Sequence, residues 1–194
     1  MLTDFGLAVS AYLLGSISFG LLLARLYGKP DPRQSGSGSI GATNVARTMG
    51  KTVGVLTLLG DAAKGLLAVW LAQQWGHSEW MSGVAALLAV VGHMFPLYHG
   101  LRGGKGVATA LGCFVPILPL PLITSAVIWL ITVLIWRYVS MGSMLSAITL
   151  PIAAVLFDYP APFIYAAALI ALLVLYKHRS NLQRLREGTE SKVA

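Results

Sequence analysis

Residues 102–137 read RGGKGVATALGCFVPILPLPLITSAVIWLITVLIWR. Arg102 and Lys105 open the stretch, Arg137 closes it, and no charged residue lies between. A helix crosses a bilayer core with about 20 predominantly apolar residues, so a single helix over the whole apolar part would be longer than a crossing requires. Pro116, Pro119 and Pro121 interrupt it near the middle, each without a backbone N–H and each clashing with the preceding turn of a helix. The stretch therefore reads as two helices joined by a tight turn, a shorter run at 106–118 and a span at about 121–136.

Outward from this pair, further apolar stretches lie at about 4–25, 52–74, 80–98, 140–157 and 160–176 by the same length criterion. The composition agrees: 56% of the 194 residues are hydrophobic, 11% are charged and the mean hydropathy is +0.74. Soluble domains carry about 25% charged residues, which excludes an ordinary water-soluble class. MLTDFGLAVSAYLLG at the N-terminus has no Lys or Arg ahead of its apolar core, so it reads as a retained first span and not as a cleaved signal. The one cysteine, Cys113, sits in an apolar run. It excludes an intramolecular disulfide and a cysteine-rich metal site, and reads as a small buried hydrophobe.

A net charge of +7 would suggest nucleic acid in a soluble protein, but here the placement of charge decides. With seven spans and the N-terminus outside, the inside segments are the loops at about 26–51, 99–106 and 137–139 and the tail 177–194. Together with Arg25 at the inner end of the first span they hold thirteen of the fourteen Lys and Arg residues, the exception being Lys64 within a span, while the outside segments hold Asp4, Glu79 and Asp158 and no basic residue. The positive-inside rule thus favours an all-α, polytopic membrane bundle, 1–194 as one membrane domain, with seven transmembrane helices, N-out and C-in.

Four polar features interrupt this apolar background. Asp61 and Lys64 share a helical face three residues apart, where they can pair as a structural ion pair or serve a substrate or proton site. The first inside loop, SGSGSIGATNVAR over 35–47, offers backbone N–H groups freed by Gly36, Gly38 and Gly41. It adds the hydroxyls of Ser35, Ser37, Ser39 and Thr43, the amide of Asn44 and the cation of Arg47. That set suits an anion and reads as a phosphate cradle, without the Lys-Ser/Thr ending of a nucleotide-binding loop. The second inside loop interleaves Arg102 and Lys105 with Gly103, Gly104 and Gly106, just before a helix expected to start at about Val107, and reads as a second anion site. His93 closes an apolar span and reads as a hydrogen-bonded structural residue, and His77 and His99 have no supporting pattern. The tail KHRSNLQRLREGTE over 177–190, taken as a helix, puts His178, Asn181 and Arg184 or Leu185 on one side. Its alternative is a basic amphipathic segment on anionic lipid.

SGSGSIGATNVAR, GHMFP with RGGKGVAT, and HRSNLQRLREGTE, in this order and membrane context, resemble the bacterial acyl-phosphate:glycerol-3-phosphate acyltransferase family known as PlsY. The likeness covers essentially the whole chain. Arg102 stands where the family usually has Lys, and Leu182 where it often has Ile. The His-x-x-x-x-Asp signature of acyl-CoA-dependent glycerol-phosphate acyltransferases is absent. The resemblance implies transfer of a fatty acyl group from acyl phosphate to the 1-hydroxyl of glycerol 3-phosphate, giving lysophosphatidic acid and inorganic phosphate at the cytoplasmic face of the bacterial inner membrane. Partners are then the two substrates and membrane lipid, without nucleic acid, cofactor or metal.

Carried over by position, it implies Ser35, Arg47, His178 and Asn181 as catalytic. Ser35, Gly36, Ser37, Gly38, Gly41, Thr43 and Asn44 would hold acyl phosphate; Arg47, Arg102, Gly103, Gly104, Lys105, Gly106, His178 and Asn181 would hold glycerol 3-phosphate. Glu190 would be structural by the same likeness, while Asp61 and Lys64 read as structural from their spacing alone. Whether His178 or the departing phosphate takes the hydroxyl proton stays open. The competing function, an organic-phosphate transporter, would use the same cationic loops but should show repeated halves, and none is visible in the sequence.

Overall fold

A computed structural model of the chain describes residues 1–193, and among them every regular element is a helix. They group into two compact units, Met1–Pro116 and Ile117–Ala194.

In the first unit α1 (Leu2–Ser16) packs on α5 (Glu79–Met94), and α4 (Lys51–Trp75) packs on α1, α5 and α6 (Val107–Phe114). Two short helices, α2 (Phe19–Leu26) and α3 (Ala42–Met49), lean on α4 as well. Apolar driving force is weak between helices in lipid, so close backbone approach carries the packing. Gly112 of α6 lies against the Ala62 carbonyl of α4, and Gly15 of α1 against Ala89 of α5; a Cβ at either glycine would collide. Large side chains such as Leu59, Leu67 and Trp70 point outward from α4, the lipid-facing pattern of a membrane helix.

In the second unit α7 (Pro119–Trp136) packs on α8 (Val139–Leu156), which packs on α9 (Ala161–Lys177). A last helix, α10 (Arg179–Arg186), follows a 54° bend at His178. Pro119 occupies the first turn of α7, where its missing N–H leaves no hydrogen bond unmade. The proline cluster thus divides 102–137 as its sequence implies. Polar side chains inside these helices turn back on their own backbone: Thr132 Oγ1 donates to Ile128 O at 2.7 Å and Ser143 Oγ to Val139 O at 2.9 Å.

Three features depart from the sequence expectation. The stretch 4–25 is two helices, α1 and α2, bent by 45° at Ile17 and Ser18. Ser18 Oγ caps α2 by accepting from Leu21 N at 3.4 Å, and the Lys64 ammonium donates to the Ile17 carbonyl that the break orphans. Gly15 and Ser16 weaken the helix just ahead of the break, but the partner that stabilises it comes from another helix and is not announced by local sequence. The first inside loop contains α3, a full two turns capped by Gly41. The run 106–118 is helical only from Val107 to Phe114, about 12 Å at 1.5 Å per residue, against a core of about 30 Å. By length and apolarity four helices can cross a membrane, or six if each bent pair counts as one span.

Candidate active site

The first glycine-rich loop is built around Asn44, in the first turn of α3 and 2% exposed. Its Nδ2 donates to the carbonyls of Pro32 at 2.8 Å, Ser35 at 3.1 Å and Ser39 at 2.8 Å. Its Oδ1 accepts from Ser37 N–H at 2.8 Å. The loop curls this tightly because Gly36 and Gly38 take φ of +61° and +68°, and a Cβ on Gly36 would strike Asn44 Oδ1. Asn44, expected as a ligand of acyl phosphate, therefore spends its amide on the loop itself, and the Ser37 N–H is spent on Asn44. Buried Ile40 and Val45 anchor the loop, with Gly20 of α2 against the Ile40 carbonyl.

Turning three carbonyl oxygens inward leaves donors outward. Ser35, Ser37, Thr43 and Arg47 are exposed, and Thr43 and Arg47, four residues apart on α3, share a face. The first-turn N–H groups of α3, capped by Gly41 without a side-chain bond, add positive potential at the same end. Arg33 is engaged elsewhere, by Asp31, through Nη2 to Oδ2 at 2.6 Å and Nε to Oδ1 at 3.0 Å. Those hydrogen bonds hold the Asp31 carboxyl below its usual range, against a smaller opposing effect of burial.

The second loop leaves the end of α5 and closes back on it. Gly104 N–H donates to His93 O at 3.1 Å. A Cβ on Gly103 would collide with that carbonyl, one on Gly104 with the His93 imidazole, and one on Gly106 with Met94. The glycines are thus required by close packing on α5. Gly106, at φ +81°, then starts α6, with Arg102 exposed and Lys105 half-buried.

In the second unit His178 sits at the α9–α10 bend, 3% exposed, with Nδ1 at 2.8 Å from Val174 O. A carbonyl only accepts, so Nδ1 carries the hydrogen, and in the neutral ring Nε2 is the basic nitrogen. Asn181, one turn on and equally buried, donates from Nδ2 to Glu190 Oε1 at 2.6 Å. Glu190 also accepts from Ser140 Oγ at 2.7 Å and from Arg184 Nε at 2.7 Å. Burial pushes its carboxyl upward, but the hydrogen bonds from Ser140, Asn181 and Arg184 prevail and hold it below the usual glutamate range. Gly188, at φ +70°, turns the chain past α10, with Thr189 N–H bonded to Arg184 O at 2.8 Å, a left-handed helix end that returns Glu190 to Asn181. Val193 N–H then donates to Arg137 O at 2.8 Å.

The paired Asp61 and Lys64, 2.8 Å apart and almost fully buried, contact His93, whose place beside them no sequence spacing announces. His77, without a pattern in sequence, lies 2.9 Å from Asp4. Among the described residues no group of His, Cys, Asp and Glu is arranged to hold a metal.

The sequence profile of the family described as glycerol-3-phosphate acyltransferase matches residues 5–188. A glycerol-3-phosphate acyltransferase of Trichlorobacter lovleyi is 48% identical over 182 residues, covering 94% of this chain and 93% of that one. One of Neisseria meningitidis serogroup C is 47% identical over 187 residues, covering 94% of each. Two crystal structures of PlsY, an integral membrane glycerol 3-phosphate acyltransferase, superpose on the chain. The glycerol 3-phosphate form gives a TM-score of 0.93 at 40% identity, covering 98% of this chain and 96% of that one. The lysophosphatidic acid form gives 0.91 at 39%, covering 98% and 95%.

Proposed function

This chain belongs to the glycerol-3-phosphate acyltransferase family, and on that premise we propose that it transfers a fatty acyl group from acyl phosphate to the 1-hydroxyl of glycerol 3-phosphate. The products are lysophosphatidic acid and inorganic phosphate. The observation that carries the reading is the inversion of the first loop by Asn44, which sequesters the carbonyls of Pro32, Ser35 and Ser39 and leaves hydroxyls, helix N–H groups and Arg47 outward. A loop so arranged repels cations and attracts a phosphate.

The chemistry is a direct acyl transfer. The glycerol hydroxyl oxygen attacks the acyl carbonyl, the carbon–oxygen bond of the mixed anhydride breaks, and phosphate departs with the electron pair. An acyl phosphate is already activated, so no covalent enzyme intermediate is needed. The protein's task is to hold two anions close and in line and to stabilise the oxyanion and leaving phosphate. Ser35, Ser37 and Thr43, with the backbone of Gly36, Gly38 and Gly41, hold the acyl phosphate, and Arg47 offsets the charge that develops. Arg102 and Lys105, on the backbone of Gly103, Gly104 and Gly106, bind glycerol 3-phosphate. His178 and Asn181 orient its glycerol, and Glu190 keeps Asn181 in place.

The enzyme is a multi-pass membrane protein, and its seven crossings run N-out to C-in with the chemistry on the cytoplasmic face of the inner membrane. The support is the gathering of all basic residues but Lys64 on one side. The run 106–118 supplies the seventh crossing, with α6 as its helical part.

Purified protein given glycerol 3-phosphate and either acyl phosphate or acyl-CoA tests the reaction. Phosphate release and lysophosphatidic acid are expected with the first donor alone. Acylation from acyl-CoA alone would overturn the assignment of donor.

A further inference from the structure

Asp61 and Lys64 of α4 and His93 of α5 are 1%, 4% and 3% exposed, and the acyl transfer as described uses none of them. Ionisable groups within a membrane segment are expensive to keep and are retained for a purpose. An ammonium has three donors and no acceptor. Three acceptors surround Lys64 Nζ: the Ile17 carbonyl, Asp61 Oδ1 at 2.8 Å and His93 Nδ1 at 3.0 Å, the contact with Asp61 being an ion pair without the alignment of a hydrogen bond. His93 Nδ1 also lies 3.6 Å from Asp61 Oδ1, but its nearer neighbour is the Lys64 ammonium, which only donates, so Nδ1 accepts and the ring hydrogen belongs on Nε2.

Nε2 is the ring atom that lies against Gly104. His93 O accepts the Gly104 N–H, and Gly103 packs on the same carbonyl. The imidazole is therefore held by Lys64 on one edge and covered on the other by the turn that leads into Lys105.

We propose that Asp61 and Lys64 are positioning residues for glycerol 3-phosphate, acting through His93. The ion pair fixes the tautomer and plane of the imidazole, and the imidazole fixes the Gly103–Gly104 turn from which Lys105 extends. The inference rests on reading that loop as the glycerol 3-phosphate loop. A purely structural ion pair could be replaced by neutral groups of similar size with little consequence; this one could not be, for binding.

The test is steady-state kinetics on the purified full-length protein, with Tm as the control for folding. The variants are Asp61→Asn/Lys64→Met, His93→Ala and the triple combination. Removing both charges together leaves no uncompensated ion in the membrane, so the double variant is expected to fold. Its KM for glycerol 3-phosphate should rise by about tenfold while that for acyl phosphate stays within about twofold. The triple variant should be no worse than His93→Ala, because both changes act through one ring. An unchanged KM for glycerol 3-phosphate in the folded double variant, or effects that multiply in the triple, would overturn the proposal.

If the double variant does not fold, Gly104→Ala decides. Its Cβ meets the imidazole and should raise the same KM, and combined with His93→Ala, which raises it too, the defect should be no larger than that of His93→Ala alone; effects that multiply overturn the proposal. Lys105→Ala separates the two levels of the argument. If it leaves the KM for glycerol 3-phosphate unmoved, the reading of the loop fails and the inference falls with it. If it raises that KM while the buried variants do not, the inference alone fails.

Discussion

Asn44 Oδ1 accepts the Ser37 N–H at 2.8 Å across the mouth of the first glycine-rich loop, while Nδ2 of the same amide donates to three carbonyls on its other side. An amide carries both polarities at one carbon, which an ionised carboxylate does not. Asn44→Asp keeps the size but replaces the donor by a second acceptor facing the carbonyls of Pro32, Ser35 and Ser39. Each buried group left unpaired costs about 1–3 kcal/mol. We expect Asn44→Asp to open the loop, lower Tm and raise the KM for acyl phosphate, and Asn44→Ala to do so more mildly because it introduces no repulsion. Equal KM values in wild type and a folded Asn44→Asp would show that the loop's shape does not serve the acyl donor.

Lys105 and Arg102 differ in what they can contribute. Lys105 is half-buried at the entry to α6, whereas Arg102 is exposed. A charge near a helix start and away from bulk water is less screened. Lys105→Ala should therefore raise the KM for glycerol 3-phosphate more than Arg102→Ala does, and more than it raises the KM for acyl phosphate. Equal effects of Lys105→Ala on both substrates would mean that the two phosphates are not bound by separate loops.

Much of this could be read from the chain, and the remainder failed for identifiable reasons. Pro119 and Pro121 announce the start of α7 because proline acts on the backbone beside it. The contact of Asp61 with Lys64 is legible because it spans one turn of one helix. His93 reaches the same pair from another helix, 29 positions from Lys64, and Ser140 reaches Glu190 across 50, so no spacing rule applies. The loop residue Asn44 misleads for a different reason. Composition shows that an amide is available but not that neighbouring carbonyls will consume it.

Glu190 gives a pH dependence with a definite sign. Hydrogen bonds from Ser140, Asn181 and Arg184 outweigh burial and hold its folded-state pKa below the unfolded value. In the interval between the two values the unfolded chain binds more protons, so stability rises with pH. The contribution is thus fully present above the unfolded glutamate pKa of about 4.3 and is lost as pH falls through the folded one. In detergent, Tm of the wild type should decline below about pH 5. Glu190→Gln should lower Tm at neutral pH and remove this part of the decline. An acid profile identical in both would exclude Glu190 as its source.

The placement of the basic residues predicts orientation. A fluorescent reporter that matures only in the cytoplasm should glow when fused to the C-terminus, and one fused to the N-terminus should remain dark. The reverse pattern would overturn N-out, C-in and move the phosphate-binding loops to the wrong compartment for the proposed reaction.

The proton is the remaining question, and the Nδ1 contact of His178 with Val174 O sharpens it. With Nδ1 committed to the carbonyl, any role in the reaction falls to Nε2, as a base or as a hydrogen-bond acceptor for the glycerol hydroxyl. The departing phosphate competes for the same proton: its second pKa is roughly 6 to 7, close to the 6.5 of an ordinary histidine, and it lies beside the attacking oxygen by the nature of the reaction. A pH profile alone cannot divide them, since substrate and imidazole titrate together. Glutamine can divide them, because its amide oxygen reaches the place of Nε2 and accepts a hydrogen bond without accepting a proton. We favour positioning, and expect His178→Gln to keep a substantial part of kcat while His178→Ala, which offers nothing, loses about 100-fold or more. Severe and equal losses of kcat in both variants, each folded by Tm and each saturated with substrate, would instead make His178 the base.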